Sequence, residues 1–163
     1  MLTVEQQNCY IEFKVPSENY FVDLKRVFEL IKKAQNDGRP QTDEFWLSQF
    51  PKYSLKHFYF LDSDAKPQFA TAEQDDLIWH FYSLTSLLQT DYEILYGDCV
   101  ILSDNTGRID YMPFGYPYGG VTGLMTFIAS FQCTPTKIDD GTGVYRVAYN
   151  GNGDFDLTEL DSI

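Results

Sequence analysis

The sequence predicts an α+β fold, an antiparallel or mixed sheet of about five to six strands with three to four helices packed on it. Two observations carry that prediction. Helical and strand patterns are interspersed along the chain, and the strands of the second half pair through short turns instead of helical crossovers. A third, the nearly all-apolar stretch Val121 to Phe131, supplies a helix for the middle of the core. At 163 residues the chain fits one domain, residues 1–163, and is long enough to bury a substantial core.

Taken in order, Cys9 to Val15 alternates, with Cys9, Ile11, Phe13 and Val15 on one side and Glu12 and Lys14 on the other, as a half-buried strand does. Pro16 ends it and Ser17 is placed to cap a helix from Glu18 to Gln35. That helix buries Phe21, Leu24, Phe28 and Ile31, with Lys32 and Lys33 in its last turn beside the negative end of the dipole. Asn36 to Pro40 stops it. Thr42 caps a short helix ended by Pro51, and Lys56 to Leu61 reads as an aromatic strand. A long helix is expected from Ala72 to Gln89, with Leu77, Phe81, Leu84 and Leu88 as its inner stripe. His80 falls at the edge of that stripe, where a packed, hydrogen-bonded histidine is the usual case.

Asp91 to Tyr96 leads into a central hairpin. Cys99-Val100-Ile101-Leu102 is continuously apolar, the pattern of a strand covered on both faces. Asp104-Asn105-Thr106-Gly107 provides the turn, with Gly107 as the residue for positive φ, and Arg108 to Met112 returns. An aromatic Gly/Pro corner, Pro113 to Gly120, precedes the apolar helix. Thr136 to Ile138 and Val144 to Tyr149 flank Asp139 to Gly143 as a final hairpin.

The composition narrows the function classes. The net charge is −12, and it is uneven: residues 1–67 carry 9 basic against 10 acidic side chains, residues 68–163 carry 3 against 14. Such a surface repels a phosphate backbone, so nucleic acid is not an expected partner, whereas a basic protein is. The first residues show no signal-peptide pattern and no apolar run reaches membrane-spanning length, so the expected location is the cytoplasm, away from membranes. Cys9, Cys99 and Cys133 read as reduced, buried thiols.

Chemical motifs are sparse. Gly115, Gly119, Gly120 and Gly123 precede a helix, but no Lys follows them and the spacing is not that of a dinucleotide fingerprint. Cys99 with His57 or His80 has no local signature of a nucleophile and base, so the reading leans away from an enzyme, and no catalytic residue is assigned. Two histidines without a Cys-x-x-Cys pair give no zinc site, and no cofactor is expected. Ala148 to Glu159 resembles an EF-hand calcium loop, which implies Asn150 and Asn152 as side-chain ligands, Gly153 at the turn, Asp154 through its carbonyl, Phe155 as the apolar eighth residue, Asp156 through water and Glu159 as the bidentate carboxylate. It departs from that family in having Ala148 at the first ligand position and a strand pattern before the loop.

What remains is a small acidic protein-interaction module, of the immunity or inhibitor type, that binds a basic partner. Its candidate binding residues are the corner aromatics Tyr111, Phe114, Tyr116 and Tyr118 together with Asp110, Asp139 and Asp140. The alternative is an enzyme or small-molecule-binding protein with its pocket at the Tyr/Gly corner, residues 111–123.

Overall fold

The computed structural model describes residues 9–61, 63–64, 67, 78–90, 94–103, 105–113, 120–149 and 155–160. Within them the fold is α+β: six strands form one antiparallel sheet and five helices accompany it. The strands are β1 (Cys9–Lys14), β2 (Ile94–Ser103), β3 (Thr106–Pro113), β4 (Thr134–Asp139), β5 (Val144–Tyr149) and β6 (Phe155–Glu159). The helices are α1 (Glu18–Asp37), α2 (Asp43–Gln49), α3 (Lys52–Leu55), α4 (Phe81–Thr90) and α5 (Gly120–Ser130). The spatial order β2-β3-β1-β4-β5-β6 puts the first strand in the interior of the sheet, between two hairpins.

Alternation along β1 decides the layering. Cys9, Ile11 and Phe13 are buried while Tyr10 and Glu12 are half-exposed and Lys14 is exposed. The same side of the neighbouring strands contributes Ile109, Tyr111, Ile138 and Val147 to the core, which α1, α4 and α5 complete with Leu24, Phe28, Leu84, Leu88, Phe127 and Ile128. α5 is buried at Leu124, Met125, Phe127 and Ile128, as its lack of a polar face requires. Its one deeply buried hydroxyl, Ser130, donates to the Phe127 carbonyl and accepts from Ser54 at 2.8 Å.

α1 forms as its spacing predicts but runs two residues further, to Asp37, where Gly38 at φ 63° takes the left-handed cap. Its last turn therefore holds no cation. Lys33 instead pairs with Asp37 one turn on, at 3.1 Å. Ser17 sits at the N-cap without a side-chain bond, whereas the Thr42 hydroxyl accepts from Phe45 N–H at 3.1 Å and caps α2.

Four expectations are corrected. Lys56 to Leu61 is not a strand: Lys52–Leu55 forms the one-turn α3, the chain turns, and Tyr59 makes a single parallel bridge with His80. Ile78 to His80 is extended and α4 starts at Phe81; Ala72 to Leu77 lies outside the described residues. β2 is not covered on both faces. It is an edge strand, in which Cys99 is buried but Ile101 and Leu102 are each 48% exposed, because the sheet ends there.

The left-handed residue of the central turn is Asn105, at φ 65°, not Gly107. Gly107 lies within β3, directly under the Phe13 ring. A Cβ there would stand 2.4 Å from Phe13 Cε2, so the glycine serves close approach instead of a turn.

Replacing Leu124 or Ile128 by Ala is expected to cost roughly 2–5 kcal/mol and lower the urea midpoint in proportion. Gly107→Ala should cost about 1–3 kcal/mol, since the fully buried Phe13 ring has to move. Equilibrium urea unfolding measures both, and unchanged midpoints would refute the packing described.

Candidate functional site

The side of the sheet opposite the helices is the first candidate. Register places Asp110, Tyr10 and Asp139 in one cross-strand row on β3, β1 and β4, and Arg108, Glu12, Lys137 and Arg146 in the next. An acid-bearing row thus lies beside one rich in cations. The Arg108 guanidinium stands 4.0 Å from the Tyr10 ring centre, and Lys137 Nζ is 5.9 Å from the same ring. Arg108 Nε also donates to Asp110 at 2.7 Å and its terminal nitrogen comes within 3.9 Å of Glu12. Beside Tyr10 is a hollow of about 420 Å³ lined by Lys137, Thr142, Gly143, Val144, Glu159 and Leu160.

The residues singled out in the sequence are distributed differently. Tyr111 is 1% exposed, on the core side of β3, with its hydroxyl donating to the Asp139 carbonyl at 3.2 Å. A residue so enclosed has no face to offer a partner. Phe114, Tyr116 and Tyr118 lie outside the described residues. Asp110, Asp139 and Asp140 are half-exposed, but each carboxylate already has an internal partner. Asp110 holds Arg108, Asp139 accepts from Gly141 N–H at 3.0 Å, and Asp140 accepts from the Thr142 N–H and hydroxyl at 2.9 and 2.6 Å. The last two bonds are local turn chemistry that fixes the β4–β5 loop. Tyr10, to which the sequence pattern assigns no role, is the aromatic residue that among the described residues reaches the open face.

The calcium-loop resemblance meets a topological obstacle. Phe155–Glu159 is a strand paired with β5, Phe155 opposite Tyr149 and Glu159 opposite Tyr145, where an EF-hand would place its exit helix. Four residues of strand rise carry Glu159 about 13 Å from Phe155; Asn150, Asn152, Gly153 and Asp154 lie outside the described residues. Among the described residues no group of three or more His, Cys, Asp or Glu side chains gathers at metal-binding distance.

A second constellation lies on the helical side of the molecule. His80, immediately before α4, contacts Asp64 Oδ2 through Nε2 at 2.6 Å and Ser83 Oγ through Nδ1 at 2.7 Å. Asp64 Oδ2 also accepts from Leu61 N–H at 2.7 Å, which fixes the carboxylate in its turn. The group borders an open cleft of about 530 Å³ lined by Asp43, His80, Tyr82, Ser83, Ser86 and Leu87. The sequence suggests a bonded histidine here; Asp64 arrives only through the fold.

The three thiols are held toward their protonated form. Burial pushes Cys9 up to about 11, with Asp139 and Asp140 adding to the effect, and pushes Cys99 and Cys133 up to about 12. All three are free and buried.

The described residues define an α+β protein in which helices pack on one face of an antiparallel sheet. No protein-family model, curated protein or solved structure matches the chain. Among the described residues no helix is long and apolar enough to cross a membrane.

In the folded chain at pH 8 the cysteines should react with a disulfide-exchange reagent far more slowly than in guanidinium, where all three titrate at once. Each thiol's folded pKa is raised above its unfolded value of 9.0, so this contribution to stability is complete below pH 9 and lost as pH climbs through about 11 to 12. Rapid native labelling would contradict the burial.

Proposed function

We propose that this chain is a protein-interaction module that docks a basic partner on the open face of its sheet. The observation that carries the reading is Tyr10, held between Arg108 and Lys137 on the interior strand of a face that no described helix covers. Tyrosine and arginine are the residue types that most often anchor interfaces, and a ring fixed by neighbours loses little freedom on binding. The hollow beside Tyr10, with Glu159 and the Thr142 hydroxyl on its wall, suits a cationic side chain of the partner. The overall charge of −12 supports the same partner class, because it accelerates encounter with a basic surface.

Asp156 and Glu159 are exposed, and they replace Asp110, Asp139 and Asp140 as the carboxylates most available to such a partner. The internally bonded aspartates contribute to the field without leaving their internal partners. Mixed charge on the face itself favours register and selectivity over bulk attraction.

Quantitative affinity capture should recover a basic protein with the wild-type chain and lose it with Tyr10→Ala, a change expected to cost about 2 kcal/mol or more of binding. The association rate should fall as salt rises, with screening over about 8 Å at physiological ionic strength, and should fall again in Asp156→Asn with Glu159→Gln. Equal recovery by wild type and Tyr10→Ala would overturn the assignment of this face. A salt-independent rate would overturn the basic partner.

A further inference from the structure

The geometry points to Ser83 as a nucleophile, with His80 as its general base and Asp64 as the positioning residue, acting on small neutral or cationic carboxylic esters. A carboxylate can only accept, so the tautomer the proposal takes carries the ring proton on Nε2, toward Asp64 at 2.6 Å. Nδ1 then keeps its lone pair and faces Ser83 Oγ at 2.7 Å, which makes the serine the donor. This is the arrangement that activates a hydroxyl: the base is within reach of the proton, and a third group orients the base. The two ring nitrogens exchange their usual roles, which changes the approach direction and leaves the proton path intact.

The position adds a second element. Ser83 lies in the first turn of α4, and the Trp79 carbonyl four residues earlier accepts from Tyr59 N–H. The Ser83 N–H precedes the intrahelical ladder, which begins with Leu84 to His80, and carries the partial positive charge of a helix start. Negative charge developing on a carbonyl oxygen beside Oγ would be favoured there. The cleft supplies room for a ligand, with Leu87 and the Tyr82 ring as apolar walls. Asp43 on its rim and Asp64 behind His80 disfavour an anionic substrate.

In the reaction Ser83 Oγ bonds to the acyl carbon as its proton passes to His80 Nδ1. The C–O bond to the alcohol breaks, and the departing oxygen takes that proton. Water then attacks the acyl-serine, giving its proton to Nδ1, and the acid leaves as Oγ is reprotonated. Nothing but water is consumed.

A fluorophosphonate probe with peptide mapping tests the proposal on the full chain. Ser83 should be labelled in preference to Ser86 and Ser48, and Asp64→Asn or His80→Gln should slow labelling about tenfold or more. The neutral ester p-nitrophenyl acetate should give a burst that Ser83→Ala abolishes, with circular dichroism verifying that each variant is folded. A helix-start brace would leave labelling of Ser83 no faster than that of Ser86, or indifferent to Asp64→Asn in a folded variant, and either result overturns the proposal.

Discussion

The arrangement of this protein depends on Phe50. It sits between α2 and α3, and its ring centre lies 4.9 Å from Phe81, 5.6 Å from Phe131, 5.9 Å from Phe127 and 6.4 Å from Phe58. Those four rings belong to the start of α4, the middle of α5, the residue just after α5 and the turn after α3. One side chain therefore joins every helical segment that closes the core except α1. Mostly edge-to-face geometry among them gives more than buried area alone and makes the packing directional. Because the cluster gathers the helices on one side, the sheet is left with a second, half-exposed face that no described helix covers.

That one-sidedness links the two surfaces. The alternation that buries Ile11 and Phe13 under the helices must turn Tyr10 and Glu12 outward, so the residues of the open face are set by the demands of the core. On the other side, the turn from His57 to Asp64 crosses the start of α4 because Tyr59 exchanges backbone bonds with Trp79 and Phe81. The same crossing delivers Asp64 to His80. Packing of the aromatic cluster and assembly of the histidine site are thus a single event.

Much of the fold could be read from the sequence because the relevant signals are local. The apolar spacing of α1, the unbroken apolar run of α5, the alternation of β1 and the Asp139 to Gly143 turn depend on near neighbours. The misreadings are non-local. Val100, Ile101 and Leu102 look like a buried strand because an apolar run does not say how many neighbours a strand has, and here β2 has one. Lys56 to Leu61 has strand composition, yet its aromatics turn into the Phe50 cluster instead of pairing in a ladder. Gly107 looks like a turn residue until Phe13 is laid across it. For the sites, the step of three residues from His80 to Ser83 is a local spacing, but nothing local announces Asp64. Tyr10 carries no signal of its own in the sequence, because only the register across β3, β1 and β4 brings Arg108 and Lys137 to its ring.

The irregularity in β2 has a consequence for solubility. Between Tyr96 and Cys99 the register with β3 shifts, leaving Gly97 and the exposed Asp98 in a bulge midway along a ten-residue border strand. Without it, that border would offer an uninterrupted rail of N–H and C=O groups, with Leu95, Ile101 and Leu102 beside it. Divided by a kink that carries a charge, it presents two short segments that a second chain cannot follow in one register. A cross-β stack would have to straighten the bulge and bring copies of Asp98 within about 5 Å of one another. This border can therefore expose Leu95, Ile101 and Leu102 without offering a second chain one continuous register.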